Sequence, residues 1–113
     1  MIKRIEKPWG AEEILELNDK YMMKRLKMNE NCRCSLQYHN KKRETIYVLS
    51  GELKIIQGKD KTNLSAKIYK SGEVVTIEPL TVHRMEAVTE SVYLEASTPE
   101  TDDTVRIEDH YNR

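Results

Sequence analysis

Short runs of apolar and β-branched residues recur along this chain, and turn-forming residues separate them. Thr45–Leu49 and Glu52–Gln57, for example, are divided by Ser50 and Gly51. Runs of this length with this punctuation predict β-strands, and a long series of them predicts a sandwich or a barrel. We therefore expect an all-β fold. The predicted strands cover residues 12–17, 21–28, 34–39, 45–49, 52–57, 64–69, 74–77, 82–87 and 92–96.

Two segments allow another interpretation. Residues 21–28 begin with Tyr-Met-Met-Lys-Arg-Leu, which has fair helix propensity, but the β pattern on both sides favours a strand. The last dozen residues leave a short helix open. Within that polar tail, Val105 and Ile107 lie two residues apart, so an extended segment would place both against the sheet.

Composition limits the size of the fold and the kinds of partner. At 113 residues the chain is expected to form one domain, residues 1–113. It contains no Phe and six Tyr, so we expect an aliphatic core. Lys plus Arg and Asp plus Glu balance at 19 each, which argues against nucleic acid or an anionic membrane as a partner. The sequence shows neither a membrane-spanning apolar run nor a signal peptide, so we expect a cytoplasmic location.

The two cysteines, Cys32 and Cys34, lie two residues apart on one face of a predicted strand. A bridge between such neighbours would distort an extended backbone, so we expect reduced, packed thiols. A C-x-C site for a soft metal is the alternative, but it lacks a second thiolate pair.

The densest group of ligand-type side chains comprises Gln37, His39 and Glu44, and His83 follows about forty residues later. Gln37 and His39 are two apart in a predicted strand, so both side chains point to one face. Two imidazoles, an amide and a carboxylate suit a divalent ion such as Zn, Mn, Fe, Ni or Co, and the ligands alone do not choose among these metals. His110, among charged residues near the C-terminus, is left out of this site.

The spacing Q-x-H-x(4)-E-x(6)-G, which starts at Gln37, and the later P-x(3)-H, which starts at Pro79, together resemble the two motifs of the cupin superfamily. Gln at the first position resembles the type II mannose-6-phosphate isomerase branch. This is the C-terminal domain of bifunctional mannose-1-phosphate guanylyltransferase/mannose-6-phosphate isomerases. Lys7–Gly10, Ser35–His39 and Asp102–Arg113 are similar to three further motifs of that branch. The resemblance implies a single-domain cupin-type jelly-roll β-barrel, here standing without the guanylyltransferase.

The chain also departs from that branch around the ligands. The branch reads H-x-H-R-x-E-H-W, whereas here Lys41 replaces the second His, Lys42 replaces the Arg, and Thr45-Ile46 replaces His-Trp. The P-x-G-x-x-H of the second motif is shortened to Pro79-Leu-Thr-Val-His83, which has no Gly. The metal ligands are kept while their surroundings change.

The resemblance implies an aldose–ketose isomerase that acts on a sugar phosphate or a nucleotide-linked sugar. Glu95 matches a glutamate of the family and is the candidate general base, whereas Glu86 is expected on the opposite face of its strand. Lys42, Arg43 and Arg106 lie nearest the matched motifs and are the candidates for binding the anionic part of the substrate.

Two other functions stay open. A non-catalytic metal- and carbohydrate-binding module is favoured by the lost His and Arg, and an iron site with open positions would permit a metal-dependent dioxygenase. Trp9 is expected to anchor the first strand by packing. Cupin-like barrels commonly dimerise, so we also expect a homodimer.

Overall fold

The computed structural model describes residues 2–109, and every regular element in that range is a β-strand. No helix in this range is long and apolar enough to cross a membrane. The strands, numbered in chain order, are β1 Lys3–Lys7, β2 Gly10–Leu17, β3 Met22–Met28, β4 Leu36–His39, β5 Glu44–Ser50, β6 Leu53–Gly58, β7 Leu64–Tyr69, β8 Val74–Ile77, β9 Val82–Ala87, β10 Ser91–Ser97 and β11 Thr104–Glu108.

These strands form two antiparallel sheets that share one core. The first sheet has the order β1-β2-β3-β10-β5-β8, and the second has the order β11-β4-β9-β6-β7. The all-β prediction is therefore confirmed. Within residues 2–109 neither sheet closes on itself, so the predicted barrel is a pair of open sheets.

Alternation along each strand decides which side chains enter the core. In β5, Ile46 and Val48 are fully buried, whereas Tyr47 and Leu49 are exposed. This is the pattern of a strand with one face on the core and the other in water. The turn after β5 requires Gly51, which has a φ of 84°, and a Cβ there would collide with the carbonyl oxygen of Glu90.

The core is less purely aliphatic than its composition suggested. Trp9, Tyr69 and Tyr93 are buried in the same cluster as the Ile, Leu, Val and Met side chains. With no Phe available, these rings supply the large apolar volumes.

Every predicted strand overlaps an observed one, and two further strands complete the sheets. Residues 22–28 form a strand rather than a helix. The tail also contains a strand, β11, which pairs with β4 and carries Val105 and Ile107, as the spacing of these two residues suggested. The helix left open for the last dozen residues is absent up to Asp109, and His110–Arg113 lie outside the described residues. The first strand, β1, has only Ile5 as an apolar residue and was not predicted.

Candidate metal centre

Three strands from both sheets bring the candidate ligands together. His39 ends β4 and His83 lies near the start of β9, both in the second sheet. Glu44 opens β5 in the first sheet, so the ligands face one another across the sandwich. The three side chains are 3%, 0% and 2% exposed for His39, His83 and Glu44, respectively.

The ligand atoms converge at distances that a single ion could bridge. Oε1 of Glu44 lies 3.1 Å from Nε2 of His83 and 3.8 Å from Nε2 of His39. One ligand atom from each of the three residues lies within 4.8 Å of the other two. The two imidazole rings have their centroids 5.2 Å apart.

The hydrogen bonds of the imidazoles fix which nitrogen is free. Nδ1 of His39 lies 3.2 Å from the carbonyl oxygen of Asp103, and Nδ1 of His83 lies 2.9 Å from that of Thr81. A carbonyl oxygen only accepts, so each Nδ1 carries a proton, and Nε2 of each neutral ring has a lone pair.

Both Nε2 atoms are buried, and neither has a hydrogen-bond partner in the described part of the chain. The 3.1 Å approach of Glu44 to His83 is not aligned as a hydrogen bond. Buried polar atoms are normally satisfied, and metal-bound imidazoles typically donate their other nitrogen to a carbonyl. The donor set therefore fits a divalent metal ion.

The electrostatics of the cluster keep a carboxylate beside the imidazoles. Burial would raise the pKa of Glu44, but contacts with His83, Lys42 and His39 outweigh burial and hold this pKa far below its ordinary value. Burial lowers the pKa of His39 despite the opposing effect of Glu44, which favours the neutral ring. Burial opposes charge on His83 as well, but the Glu44 carboxylate prevails and raises the pKa of His83. The Glu44 carboxylate thus stabilises positive charge at His83.

Gln37, the fourth predicted ligand, lies beside this cluster. It stands opposite His83 in the pairing of β4 with β9 and lines the adjoining cavity. Its Oε1 accepts a hydrogen bond of 2.6 Å from the hydroxyl of Ser35. The role of Gln37 as a ligand stays a prediction.

The ammonium group of Lys42 forms ion pairs with two buried carboxylates. Its Nζ lies 2.9 Å from Oε2 of Glu95 and 3.3 Å from Oε2 of Glu44. Burial would lower the pKa of Lys42, but Glu95 and Glu44 raise it instead. Burial and the neighbouring Glu44 charge raise the pKa of Glu95, and Lys42 only partly offsets them. The pKa of Glu95 is therefore raised although Lys42 donates to it, because burial and the Glu44 charge together outweigh one shared ammonium.

The cluster opens into a cavity of about 200 Å³ between the two sheets. Arg106, which stands opposite Gln37 in the β11–β4 pairing, lines this cavity with an exposed side chain. Arg43 does not, because its exposed side chain forms an ion pair of 2.8 Å with Glu78 on the outer surface. The cavity is lined by Lys7, Trp9, Glu12, Lys24, Leu26, Cys34, Gln37, Lys42, Glu44, Met85, Tyr93, Glu95, Thr101, Thr104 and Arg106.

The cysteines form no part of the described metal cluster. Both thiols are free, as predicted, and Cys34 is buried beside the cavity. Burial raises the pKa of the Cys34 thiol to about 11, so Cys34 is a packing residue at neutral pH.

The chain matches a known protein family over nearly its whole length. The sequence model described as the mannose-6-phosphate isomerase C-terminal family matches residues 1–109. The chain belongs to this family. No curated protein matches the chain by sequence.

Solved structures that resemble the chain share its fold at low sequence identity. The capsular polysaccharide assembling protein CapF from Staphylococcus aureus is 18% identical, with a TM-score of 0.78 over 96% of this chain and 32% of its own. KdgF from a Halomonas species is 15% identical, with a TM-score of 0.76 over 88% of both chains. Bacillus subtilis oxalate decarboxylase, a protein with Mn(II) centres, is 17% identical, with a TM-score of 0.79 over 93% of this chain and 30% of its own. The chain thus spans about a third of CapF and of oxalate decarboxylase, and the cupin-type jelly roll is confirmed.

Asp103 holds the first ligand loop, which is the segment between His39 and Glu44. No role was predicted for this residue from the sequence. The carboxylate of Asp103 accepts backbone hydrogen bonds from Asn40, Lys41 and Lys42 at 3.2, 2.7 and 2.9 Å. These bonds lower the pKa of Asp103. Asp103 thereby positions the segment between His39 and Glu44, while its own carbonyl accepts from His39. The sequence signal for this role was the position of Asp103 in the closing motif of the family, Asp102–Arg113.

The second ligand loop carries backbone strain at the position where the family has glycine. Counted back from His83, Leu80 stands at the Gly of the family's P-x-G-x-x-H motif, and its φ is 68°. A left-handed conformation is unfavourable for a residue with a Cβ. The N–H of Leu80 donates a 2.7 Å hydrogen bond to the carbonyl oxygen of His39, which joins the two ligand loops.

Proposed function

We propose that this chain is a metal-dependent sugar-phosphate aldose–ketose isomerase of the mannose-6-phosphate isomerase type. The observation that carries the proposal is the position of Glu95, a buried carboxyl group that shares the Lys42 ammonium with Glu44. An acid–base group with a raised pKa thus lies one lysine away from the metal cluster. Family membership supports the same reaction class.

The proposed chemistry divides between the cluster and Glu95. A divalent ion held by His39, Glu44 and His83 would polarise the carbonyl and the adjacent hydroxyl of the sugar. Glu95 takes the proton from C2 of the aldose and returns it to C1, while the C2 hydroxyl proton passes to the former carbonyl oxygen. A carboxyl group whose pKa is raised toward the working pH suits both steps, because it can accept and release the same proton. Lys42 holds the Glu95 carboxylate in place.

The metal stays open among Zn, Mn, Fe, Ni and Co, because imidazole and carboxylate ligands suit each of them. Loading the protein with each metal before the assay removes this choice as a source of failure. The cytoplasmic location and the homodimer expected from the sequence also stay predictions.

The test is turnover of mannose 6-phosphate and related hexose phosphates by the metal-loaded protein, read as ketose formed. Glu95→Gln is expected to reduce kcat by at least about 100-fold without changing the metal content, since a general acid–base contributes about 10²–10⁴-fold. Glu86→Gln is the matched control, because Glu86 lies on β9, the strand that carries His83, but lines a different surface depression. The absence of turnover with every metal and every hexose phosphate would refute the isomerase proposal.

A second candidate is a binding module that holds a metal and a carbohydrate without turnover. The observation that favours it is Lys42, whose ammonium occupies both carboxylates next to the cluster. For this candidate, calorimetry would show a hexose phosphate bound by the metal-loaded protein while the same sample forms no ketose.

A further inference from the structure

The basic residues of the cavity divide into two groups. Lys24 pairs with Glu12 at 3.5 Å, and Lys42 pairs with Glu95 and Glu44. Lys7 and Arg106 line the same cavity and pair with no carboxylate among the described residues. The cavity therefore contains four basic and three acidic lining residues, and of the two unpaired cations Arg106 is exposed and Lys7 is half-buried.

The net positive charge of the cavity would increase when a metal ion binds to the cluster. Glu44 is one of the three acidic lining residues, and it is also a candidate metal ligand. A divalent ion in the cluster would take up part of its negative charge. The loaded cavity would then carry a net positive charge, which favours an anionic ligand.

Trp9 provides a second and independent observation. Its side chain is only 5% exposed and lines this cavity, yet the buried indole Nε1 has no hydrogen-bond partner in the described chain. An indole N–H is a donor only, and buried donors are normally satisfied. A ligand oxygen in the cavity would satisfy it.

Lys7 and Arg106 lie on the edge strands β1 and β11 of the two sheets, and Trp9 lies in the connection that follows β1. Lys7 ends β1, and Trp9 lies in the tight connection through which Lys7 pairs with Gly10 of β2. Arg106 comes from β11, near the opposite end of the described chain, and stands opposite Gln37. Segments near the two ends of the described chain thus line the same cavity as Glu44 of the metal cluster.

We propose that Lys7, Trp9 and Arg106 form the anion-binding subsite of this cavity, with Lys7 and Arg106 contacting a phosphate or carboxylate group and Trp9 donating to a ligand oxygen. The subsite rests on the proposed function only for the sugar part of the ligand. Arginine and lysine are the usual partners of such anions, and arginine can bind them through two parallel hydrogen bonds.

The size of the cavity narrows the ligand to a single sugar unit. Pockets for drug-sized molecules span about 300–1,000 Å³, whereas this cavity measures about 200 Å³. A monosaccharide phosphate or a hexuronate therefore fits the observations better than a nucleotide-linked sugar.

Trp9 is the only tryptophan in the chain, so its fluorescence reports on the subsite directly. The metal-loaded protein would be titrated with mannose 6-phosphate, glucuronate and neutral mannose. We expect the anionic sugars to shift the Trp9 emission and to bind at least about tenfold more tightly than mannose, with an advantage that falls as salt rises. A stronger response to the phosphate than to glucuronate identifies the phosphate ester as the preferred anion, and the reverse identifies the carboxylate.

The variants Lys7→Gln and Arg106→Gln are each expected to weaken binding of the preferred anion by about tenfold and to leave mannose binding unchanged. Lys3→Gln is the matched control, because Lys3 lies on the same strand as Lys7 but outside the cavity lining. Trp9→Phe, measured by calorimetry, should weaken all three sugars through the lost donor. Unchanged affinity in both charge variants would overturn the subsite, as would equal affinity of the wild type for mannose and the anionic sugars, or no binding of any of the three.

The outcomes separate this subsite from the isomerase proposal. Charge-dependent binding without ketose formation would support the subsite and refute the isomerase. Turnover of mannose 6-phosphate with an unchanged KM in Lys7→Gln and Arg106→Gln would support the isomerase and refute the subsite.

Discussion

The inner end of the cavity, defined by Lys42, Glu44 and Glu95, is buried, whereas its mouth, defined by Lys7 and Arg106, is more exposed. At the inner end, Lys42 is buried between Glu44 and Glu95, within 3.3 Å of both carboxylates. At the mouth, Lys7 and Arg106 have no carboxylate partner among the described residues. A buried charge is stable only when it is paired, whereas a cation at the surface can remain free for a ligand.

This difference shows why closeness to the candidate metal ligands in sequence is a poor guide to which cations are unpaired. Lys42 and Arg43 are consecutive and lie between two candidate metal ligands, yet neither has a free charge. Lys42 serves the cluster, and Arg43 points to the outer surface and pairs with Glu78. Arg106, far from both in sequence, remains available in the cavity.

The most direct test of the difference between the inner end and the mouth is to remove the buried cation. Lys42→Met leaves two buried carboxylates without their shared ammonium, so we expect the free energy of unfolding to fall by about 3–5 kcal/mol. The measurement is urea unfolding of the metal-free protein at pH 7. Arg43→Met, its neighbour, should leave the unfolding midpoint unchanged because its ion pair is exposed. Equal effects of the two variants would contradict the distinction between inner end and mouth.

The next largest effect is expected at the residue that shapes the inner end. Asp103→Ala removes the acceptor of three backbone N–H groups between His39 and Glu44, so metal affinity should fall by about 10–100-fold. Metal titration of the stripped protein checks this value. Asp102→Ala is the control, because Asp102 is the adjacent exposed carboxylate. If both variants bind metal as the wild type does, the loop does not depend on Asp103.

The smallest effect is expected in the second ligand loop, where one substitution should increase the stability of the protein. Leu80→Gly should raise the free energy of unfolding by about 1 kcal/mol, because glycine adopts a φ of 68° without strain and Leu80 is 60% exposed. Thermal unfolding measures the change. Leu80→Ala keeps a Cβ and should give no gain. A loss of stability in Leu80→Gly would show that the leucine side chain stabilises the loop.

Much of the fold follows from local patterns, since strands and turns are encoded by neighbours in sequence. The exception is β1, in which Ile5 alone is apolar. The pairing of β1 with β2 provides the stabilisation that its own β propensity does not provide. His39, Glu44 and His83 were identified by spacing and converge as predicted.

The remaining features of the site depend on contacts that no local pattern contains. Lys42 meets Glu95 across 53 residues, and Asp103 reaches Lys41 across 62. Lys7 was visible in the Lys-Pro-Trp-Gly motif, but only the fold shows that it lines the same cavity as Arg106. Pairing partners, rather than residue types, decide which cations are free.

The metal content of the purified and reloaded protein tests the central claim most directly, namely that His39, Glu44 and His83 hold a divalent ion. We predict about one ion per chain in the wild type by elemental analysis, and the same value in Glu86→Gln, whose carboxylate lies outside the cluster. His83→Ala and Glu44→Gln should lose the ion while circular dichroism still shows the folded sheets. Wild-type metal content in both cluster variants would contradict the account.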